Sequence, residues 1–365
     1  MDNLRHTLAP LRRLDWVALL TTVLLLGIGV VFIYSAGYGR ESTQWIRQLG
    51  FILIGIPVYL GAALFDYRRL REWSWPLYLI SLVLLIGLYF FGMSIHGAKR
   101  WYNLRVLLFQ PAEAAKLAVI ALLAMWFSDT LRNLRRPANI LIPLAFVLIP
   151  FALIAAQPDV GTAFILLSIF ATMLFSAGAS WKMLGLLALL GLLSLPVAWT
   201  MLRPYHRDRI MVYLEPDRDP LGRGWNRRQS EIAIGSGGLH GKGFKQGTQN
   251  VLGFLPTTVA PTDFIYSVIA EEKGFIGCAL MLTLYSVLFV ALARTSLRSQ
   301  DVFGRLMTIG ILTMLFTHVT INVAMTIGLL PIIGLPLPLV SYGGSFILSM
   351  LLALGLAQGV YIRRS

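Results

Sequence analysis

Residues 14–35 read LDWVALLTTVLLLGIGVVFIYS, and after Asp15 no charged side chain follows for twenty residues. As a helix this stretch rises about 33 Å, enough to cross a hydrocarbon core of about 30 Å. Nine more apolar runs follow, at 45–65, 74–93, 111–128, 138–156, 160–178, 182–201, 263–293, 304–328 and 340–361. The 263–293 run is long enough to tilt or project. The runs are continuous rather than alternating, so they predict helices and not the strands of an outer-membrane barrel. Composition agrees: 57% of the 365 residues are hydrophobic and 13% charged, where a soluble domain carries about 25% charged residues. The expected fold is an all-α polytopic membrane protein, a single transmembrane domain over 1–365 with about ten spans.

Lys and Arg orient the spans, because they collect in short cytoplasmic loops. With the N-terminus inside, the cytoplasmic segments hold fifteen basic residues: Arg5, Arg12, Arg13, Arg68, Arg69, Arg71, Arg132, Arg135, Arg136, Lys182, Arg294, Arg298, Arg305, Arg363 and Arg364. The short outside loops hold five: Arg40, Arg47, Lys99, Arg100 and Arg105. An even number of spans puts both termini inside. The net charge of +14 is thus mostly topology, with attraction to anionic lipid second, and no nucleic-acid partner is expected. The first run is full-length and no small-residue cleavage site follows, so it reads as a span and not as a cleaved signal peptide. The lone Cys278 excludes an intrachain disulfide framework and lies in an apolar run as a small core residue.

One segment departs from the loop pattern. Residues 202–262, between the seventh and eighth spans, form a large extracytoplasmic loop with Arg203, Arg207, Arg209, Arg218, Arg223, Arg227, Arg228, Lys242 and Lys245. Loops of this length are functional or disordered more often than not. Trp225, Phe244, Phe254 and Leu255 can fold it back onto the helices. Its basic side chains suit either a solvated loop or a site for an anionic ligand. The run Gly235-Ser-Gly-Gly-Leu-His-Gly-Lys-Gly243 is not a nucleotide-binding P-loop, because the spacing and final hydroxyl residue are wrong. Its glycines allow close backbone approach, as in a tight turn at the membrane surface.

Several charges stand at the ends of spans or inside them. Glu113 and Lys116, in Gln110-Pro-Ala-Glu-Ala-Ala-Lys116, are three apart on one helix face. Glu113 suits the first helical turn, whereas Lys116, a turn deeper, needs an internal partner or a function. Asp159, in Gln157-Pro-Asp159, either caps the sixth span or faces a cavity. Asp263 opens the eighth span after Pro261-Thr262 and either caps it or acts on a substrate. Glu271 and Glu272 follow inside the apolar run, too far from Asp263 for a direct acid–base pair and better suited to ion pairs. Pro331-Ile-Ile-Gly-Leu-Pro-Leu-Pro338 forbids a continuous helix and reads as a rigid outer turn. The five histidines, His6, His96, His206, His240 and His318, have no metal-binding spacing.

In this order the pieces resemble the SEDS family of bacterial cell-wall proteins. The matching motifs are Phe109-Gln-Pro-Ala-Glu-Ala-Ala-Lys116, Ala156-Gln-Pro-Asp-Val-Gly-Thr162, Asp219-Pro-Leu-Gly222, Ile232-Ala-Ile-Gly-Ser-Gly-Gly-Leu239, Gly241-Lys-Gly243, Thr262-Asp-Phe-Ile265, Ala270-Glu-Glu272 and Pro336-Leu-Pro-Leu-Val-Ser-Tyr-Gly-Gly-Ser345. The Gly-Leu-Pro-Leu-Pro form at 334–338 is closer to the elongation branch than to the division branch. One departure stands out. Phe254-Leu-Pro-Thr-Thr-Val-Ala-Pro-Thr-Asp-Phe264 lacks a glutamate expected after Phe-Leu-Pro, and the connection to Asp263 is two residues longer.

The resemblance implies a peptidoglycan glycosyltransferase of the bacterial cytoplasmic membrane. It would polymerise lipid II, a disaccharide-peptide on undecaprenyl diphosphate, during cell elongation and rod-shape maintenance. It implies Asp263 as the catalytic carboxylate, a general base. Glu113, Lys116 and Asp159 match supporting positions, and Lys242, Lys99 and Arg100 are further basic candidates for the substrate. It also implies a class B penicillin-binding protein and the elongation machinery as partners, and a divalent cation, Mg or Mn, with no readable metal ligands. Two other classes are open at this point: a lipid II flippase or transporter, and a non-enzymatic scaffold of the elongation machinery.

Overall fold

The computed structural model describes residues 13–38, 42–95, 98–105, 107–130, 134, 136–201, 204–215, 218–219, 222–256 and 258–364. Ten apolar helices stand where the ten runs predict them: α1 (Trp16–Ala36), α2 (Gln44–Leu64), α3 (Leu70–Phe91), α4 (Pro111–Thr130), α5 (Ala138–Ala156), α6 (Val160–Ser176), α7 (Trp181–Met201), α11 (Ile265–Leu297), α12 (Val302–Thr326) and α13 (Gly344–Ile362). Eight are long and apolar enough to cross a membrane, while Val160–Ser176 and Trp181–Ser194 are shorter apolar stretches. Most of α4, α12 and α13 is buried, whereas less than a third of α2, α3 and α5 is. The outward side chains, Leu53, Val83, Phe90, Leu192 and Leu280 among them, suit a lipid surround.

The loops sort to two ends as the charge pattern requires. At the end expected to be cytoplasmic, Tyr67 donates to Asp301 over 2.5 Å and Arg363 lies 3.9 Å from Asp66. There the Asp15 side chain caps α1 by accepting from Val17 and Ala18 N–H. Loops expected outside meet at the other end. Between α3 and α4 the chain forms a small antiparallel sheet, β1 (Met93–Ile95), β2 (Ala98–Asn103) and β3 (Leu108–Phe109), in the order β1-β2-β3. An all-α reading does not anticipate it, because strands of two to six residues leave no periodic signal.

The 202–262 loop is folded. Among its described residues it carries α8 (Pro204–Leu214), α9 (Arg223–Gly237) and the single turn α10 (Thr248–Val251). Two of its apolar residues return it to the bundle as expected: Leu255 is buried and Phe244 meets Phe32 edge-on. The other two pair within the loop, where Trp225 donates to the carbonyl of the exposed Phe254. The departing stretch before Asp263 is a series of tight turns in which Pro256 O accepts from both Val259 and Ala260 N–H. Residue 257 lies outside the described residues, as do Arg203 and His96.

The glycine-rich run has a structural task. α11 breaks at Gly274, whose φ of 63° and ψ of −160° belong to a region open essentially only to glycine. The break strands carbonyls on one side and N–H groups on the other. The glycine loop meets both sets: Lys242 N and Gly243 N donate to Glu271 O and Glu272 O, while Phe275 N and Ile276 N donate to Gly238 O and Leu239 O. Such approach requires the missing side chains, since a Cβ at Gly237 or Gly241 would run into the carbonyls of Ala270 or Glu272. The stretch after the break, 275–297, is itself about 34 Å long and spans a membrane alone. Glu271 and Glu272 lie on the segment before the break. They are buried in protein. Glu271 accepts from Lys242 at 2.8 Å and from Gln249 N at 2.9 Å, and Glu272 accepts from Ser35 at 2.5 Å.

The proline-rich segment is likewise not an outer turn. Leu335, Leu337, Leu339 and Val340 are fully buried, so 335–341 dives into the bundle. Non-helical backbone at such depth needs partners, and several helices provide them. Asn322 of α12 donates to Leu335 O, Tyr285 of α11 to Pro338 O, and Gln48 of α2 to Ser341 O. Gln48 also accepts from Gly343 N. Ser341 Oγ accepts from Leu337 N and donates to Thr262 O. Three prolines explain why this segment is not helical, and these contacts explain why it can still be buried.

Candidate active site

The charged candidates gather where α4, α6 and α11 begin. Pro111 opens α4, as its fixed φ favours, and places Glu113 in the first turn and Lys116 one turn deeper. Both side chains are buried. Lys116 Nζ lies 2.9 Å from each Glu113 carboxylate oxygen and 2.7 Å from His318 Nε2. Lys116 thus has the internal partner that burial demands, and a second one that spacing alone did not suggest.

Asp159 caps its helix, the first of the two roles weighed for it, and its second oxygen is turned to protein partners. Its Oδ1 caps α6 by accepting from Thr162 N at 3.3 Å. Its Oδ2 accepts from Gln110 Nε2 at 3.2 Å and lies 3.8 Å from Arg100 Nη1. Arg100 is fixed further by the carbonyls of Gln157 and Pro158. Asp159 is within electrostatic reach of both Glu113 and Asp263, which joins the constellation into one field.

Asp263 does not cap its helix. α11 starts two residues later, with Phe264 at the N-cap position and no side-chain cap bond, because the turn that ends at Phe264 N–H to Val259 O directs the carboxylate elsewhere. The side chain is partly buried. Arg209 of α8 and Arg100 act on it electrostatically, and Arg209 is itself held by the Ile333 carbonyl at 2.8 Å. Gly334 backs the carboxylate closely, since a Cβ there would stand 3.2 Å from Asp263 Oδ2. Asn322 holds the Asp263 backbone by donating to its carbonyl at 2.9 Å while also donating to Leu335 O. Burial raises the Asp263 carboxyl to about 6, helped by Asp159 and opposed by the two arginines.

Two candidates are not brought to this group. Lys99 is exposed and donates to Tyr89 O. Lys242 pairs with Glu271 and Thr248, where it fastens the glycine loop to α11. Arg209, His318 and Asn322 belong to the constellation, yet sequence reading gave Arg209 only as one of nine loop cations, weighed His318 only as a metal ligand and did not consider Asn322. Their signal is a polar side chain in an otherwise apolar span, which is expensive in lipid unless it faces partners.

The donor set does not suit a protein-held metal. Among the described residues no group of three or more His, Cys, Asp or Glu side chains is placed to hold one, and the oxygens of Asp159 are engaged by N–H groups. What the arrangement can do is accept a proton at Asp263 beside fixed positive charge.

A family model described as cell cycle protein, for FtsW, RodA and SpoVE, matches residues 16–364. Peptidoglycan glycosyltransferase MrdB of Escherichia coli K12 is 38% identical over 354 residues, covering 96% of this chain and 94% of the relative. Peptidoglycan glycosyltransferase RodA of Treponema pallidum is 31% identical, covering 96% and 98%. A chain from a solved peptidoglycan synthase complex, described as coordinating polymerization and crosslinking, superposes with a TM-score of 0.81 at 31% identity over 96% of this chain and 98% of that one. The crystal structure of the rod shape determining protein RodA of Thermus thermophilus gives 0.73 at 29%, over 96% and 97%. Motifs, fold and full-length matches agree, and the chain belongs to the SEDS family of FtsW, RodA and SpoVE.

Proposed function

We propose that this protein is a peptidoglycan glycosyltransferase of the elongation type, joining lipid II disaccharides at the outer face of the cytoplasmic membrane, with Asp263 as its general base. The observation that carries the reading is a partly buried carboxylate, free of any capping task, on which two arginines act and which Asp159 links electrostatically to the buried Glu113–Lys116 pair. The acceptor 4-hydroxyl loses its proton to Asp263 as its oxygen bonds to the anomeric carbon of the donor. The bond from that carbon to the phosphate oxygen breaks, configuration inverts, and the lipid diphosphate leaves. Lys116, Arg100 and Arg209 supply charge for the leaving group.

An apolar cavity supports a lipid substrate. α2 and α3 follow one another in sequence yet hardly touch. Beside them lies an apolar cavity of about 450 Å³, lined by residues such as Ala62, Leu77, Ile80, Leu84, Leu117 and Leu356. A polyprenyl chain suits such a lining. The buried charges Glu113, Lys116 and Asp159 lie at one end of the core, which favours surface chemistry over a path across the membrane. The likeness to a chain from a synthase complex supports a class B penicillin-binding protein as partner.

The test is polymerisation of lipid II by the purified protein in liposomes, alone and with its cognate class B partner. Glycan polymer is the expected product. Its absence with folded protein and partner present would move the reading to lipid translocation or scaffolding. The pH dependence is a second check. A general base works only when ionised, so kcat/KM should be level above pH 7 and fall tenfold per unit below about 6. A profile flat down to pH 5 would contradict the assignment.

A further inference from the structure

α12 presents His318, Asn322 and Thr326 at intervals of four, hence on one face, and all three are fully buried. Asn322 holds the backbone of Asp263, as described above. His318, one turn away, meets Lys116. Its Nε2 is 2.7 Å from Lys116 Nζ, and its ring packs 5.1 Å from that of Phe346. The same Phe346 ring lies 5.7 Å from Lys116 Nζ. A lysine ammonium has donors and no acceptor. The contact therefore requires a lone pair on Nε2, which puts the ring proton on Nδ1 of a neutral imidazole.

We infer that His318 is a positioning residue for the transfer reaction: its Nε2 lone pair holds the Lys116 ammonium in place beside Glu113. This rests on the proposed reading of Lys116 as a counter-charge to the departing diphosphate. Glu113 alone fixes the ammonium from its own helix, within one turn. His318 fixes it from α12, the helix that also sets the Asp263 backbone. The cation and the carboxylate are thereby referred to one rigid element, so their separation does not depend on the loops. A flexible four-carbon side chain needs such a second anchor if its charge is to be in place before the diphosphate forms.

The experiment compares His318→Leu with His318→Gln in the lipid II polymerisation assay, with the class B partner present. Glutamine carries an amide oxygen near the place of Nε2, whereas leucine fills the space without an acceptor. His318→Leu should lower kcat by up to about 100-fold, the cost of misplacing a positioned group by about 1 Å, and leave KM for lipid II within about twofold. His318→Gln should recover most of kcat. On a Lys116→Met background, His318→Leu should change the residual rate no further. His318→Asn guards against a folding failure of the leucine variant, because it has the amide but falls one methylene short and should be slow. Melting temperature and a monodisperse elution profile report folding for every variant. Wild-type kcat in His318→Leu, or equal slowness of the Gln and Leu variants when both are folded, would overturn the inference. If Asp263→Asn still polymerises while the Gln–Leu contrast holds, the base assignment fails and the role of His318 stands.

Discussion

Asp263→Asn should lower glycan polymerisation by about 10²–10⁴-fold, the usual contribution of a general base, and should leave the protein folded. Asparagine is nearly isosteric, and the contacts that fix this position are made by the backbone. Asn322 binds the Asp263 carbonyl, and Ser341 binds the Thr262 carbonyl. The carboxylate caps no helix, so no helical N–H is orphaned. The sign of the stability effect also follows. A carboxyl raised to about 6 by burial, against about 3.9 unfolded, favours the fold when protonated, and that favour is lost as pH rises from about 4 through 6. At pH 7.5 the neutral amide removes this burden, so the melting temperature should hold or rise while activity collapses. Activity at the wild-type level, or a variant that no longer folds, would refute this account of the residue.

Gly274→Ala should abolish folded protein or nearly so. At φ 63° and ψ −160° an alanine is strained by about 1–3 kcal/mol. Its Cβ would also press on the Gly241 nitrogen and, at 2.6 Å, on the Leu239 carbonyl. Relief requires the loop to withdraw, which breaks the four backbone hydrogen bonds across the break, each worth about 0.5–1.5 kcal/mol net. It also exposes the buried carboxylate of Glu271, which Lys242 pairs from a partly exposed position. The sum rivals the whole stability of a typical domain, about 5–15 kcal/mol. Gly27→Ala is the control: that glycine lies inside α1, where a Cβ meets nothing within 4 Å, and the change should be neutral or slightly stabilising. Membrane yield and elution profile of the two variants decide the matter. Equal yields would mean that the break is not held as described.

Hydropathy made the ten helices legible because each has many apolar residues saying the same thing. It concealed single polar residues for the same reason. Gln48, His318 and Asn322 each sit in a window of about twenty residues whose mean they hardly move, yet each closes a contact on which the site depends. Gln48 meets Ser341 across 293 positions of sequence, and His318 meets Lys116 across 202, distances at which no local pattern operates. Asp263 and the Glu113–Lys116 pair were legible as charges in costly places and by resemblance to the family. Arg209 was not, because nine cations in one loop look alike until the loop is folded. The prolines at 331–338 showed that a helix must stop there. They did not show that the chain then turns inward, because that depends on donors from several separate helices. The glycine run was read as a tight turn, and its docking onto a broken helix needed the φ of Gly274.

The gap between α2 and α3 bears on how the enzyme's kinetics must be expressed. A substrate that enters sideways never leaves the plane of the bilayer, so the enzyme samples its abundance per unit area of lipid. Molarity in the tube is then the wrong variable. Doubling the detergent or carrier lipid at fixed lipid II should halve the rate below saturation, and doubling all three together should leave the rate per enzyme unchanged. Apparent KM values gathered in different detergents become comparable only as mole fractions. In a cell, entry by this route would tie glycan synthesis to the crowding of carrier lipid in the membrane, and spent diphosphate lingering there would compete for the gap at its own surface density.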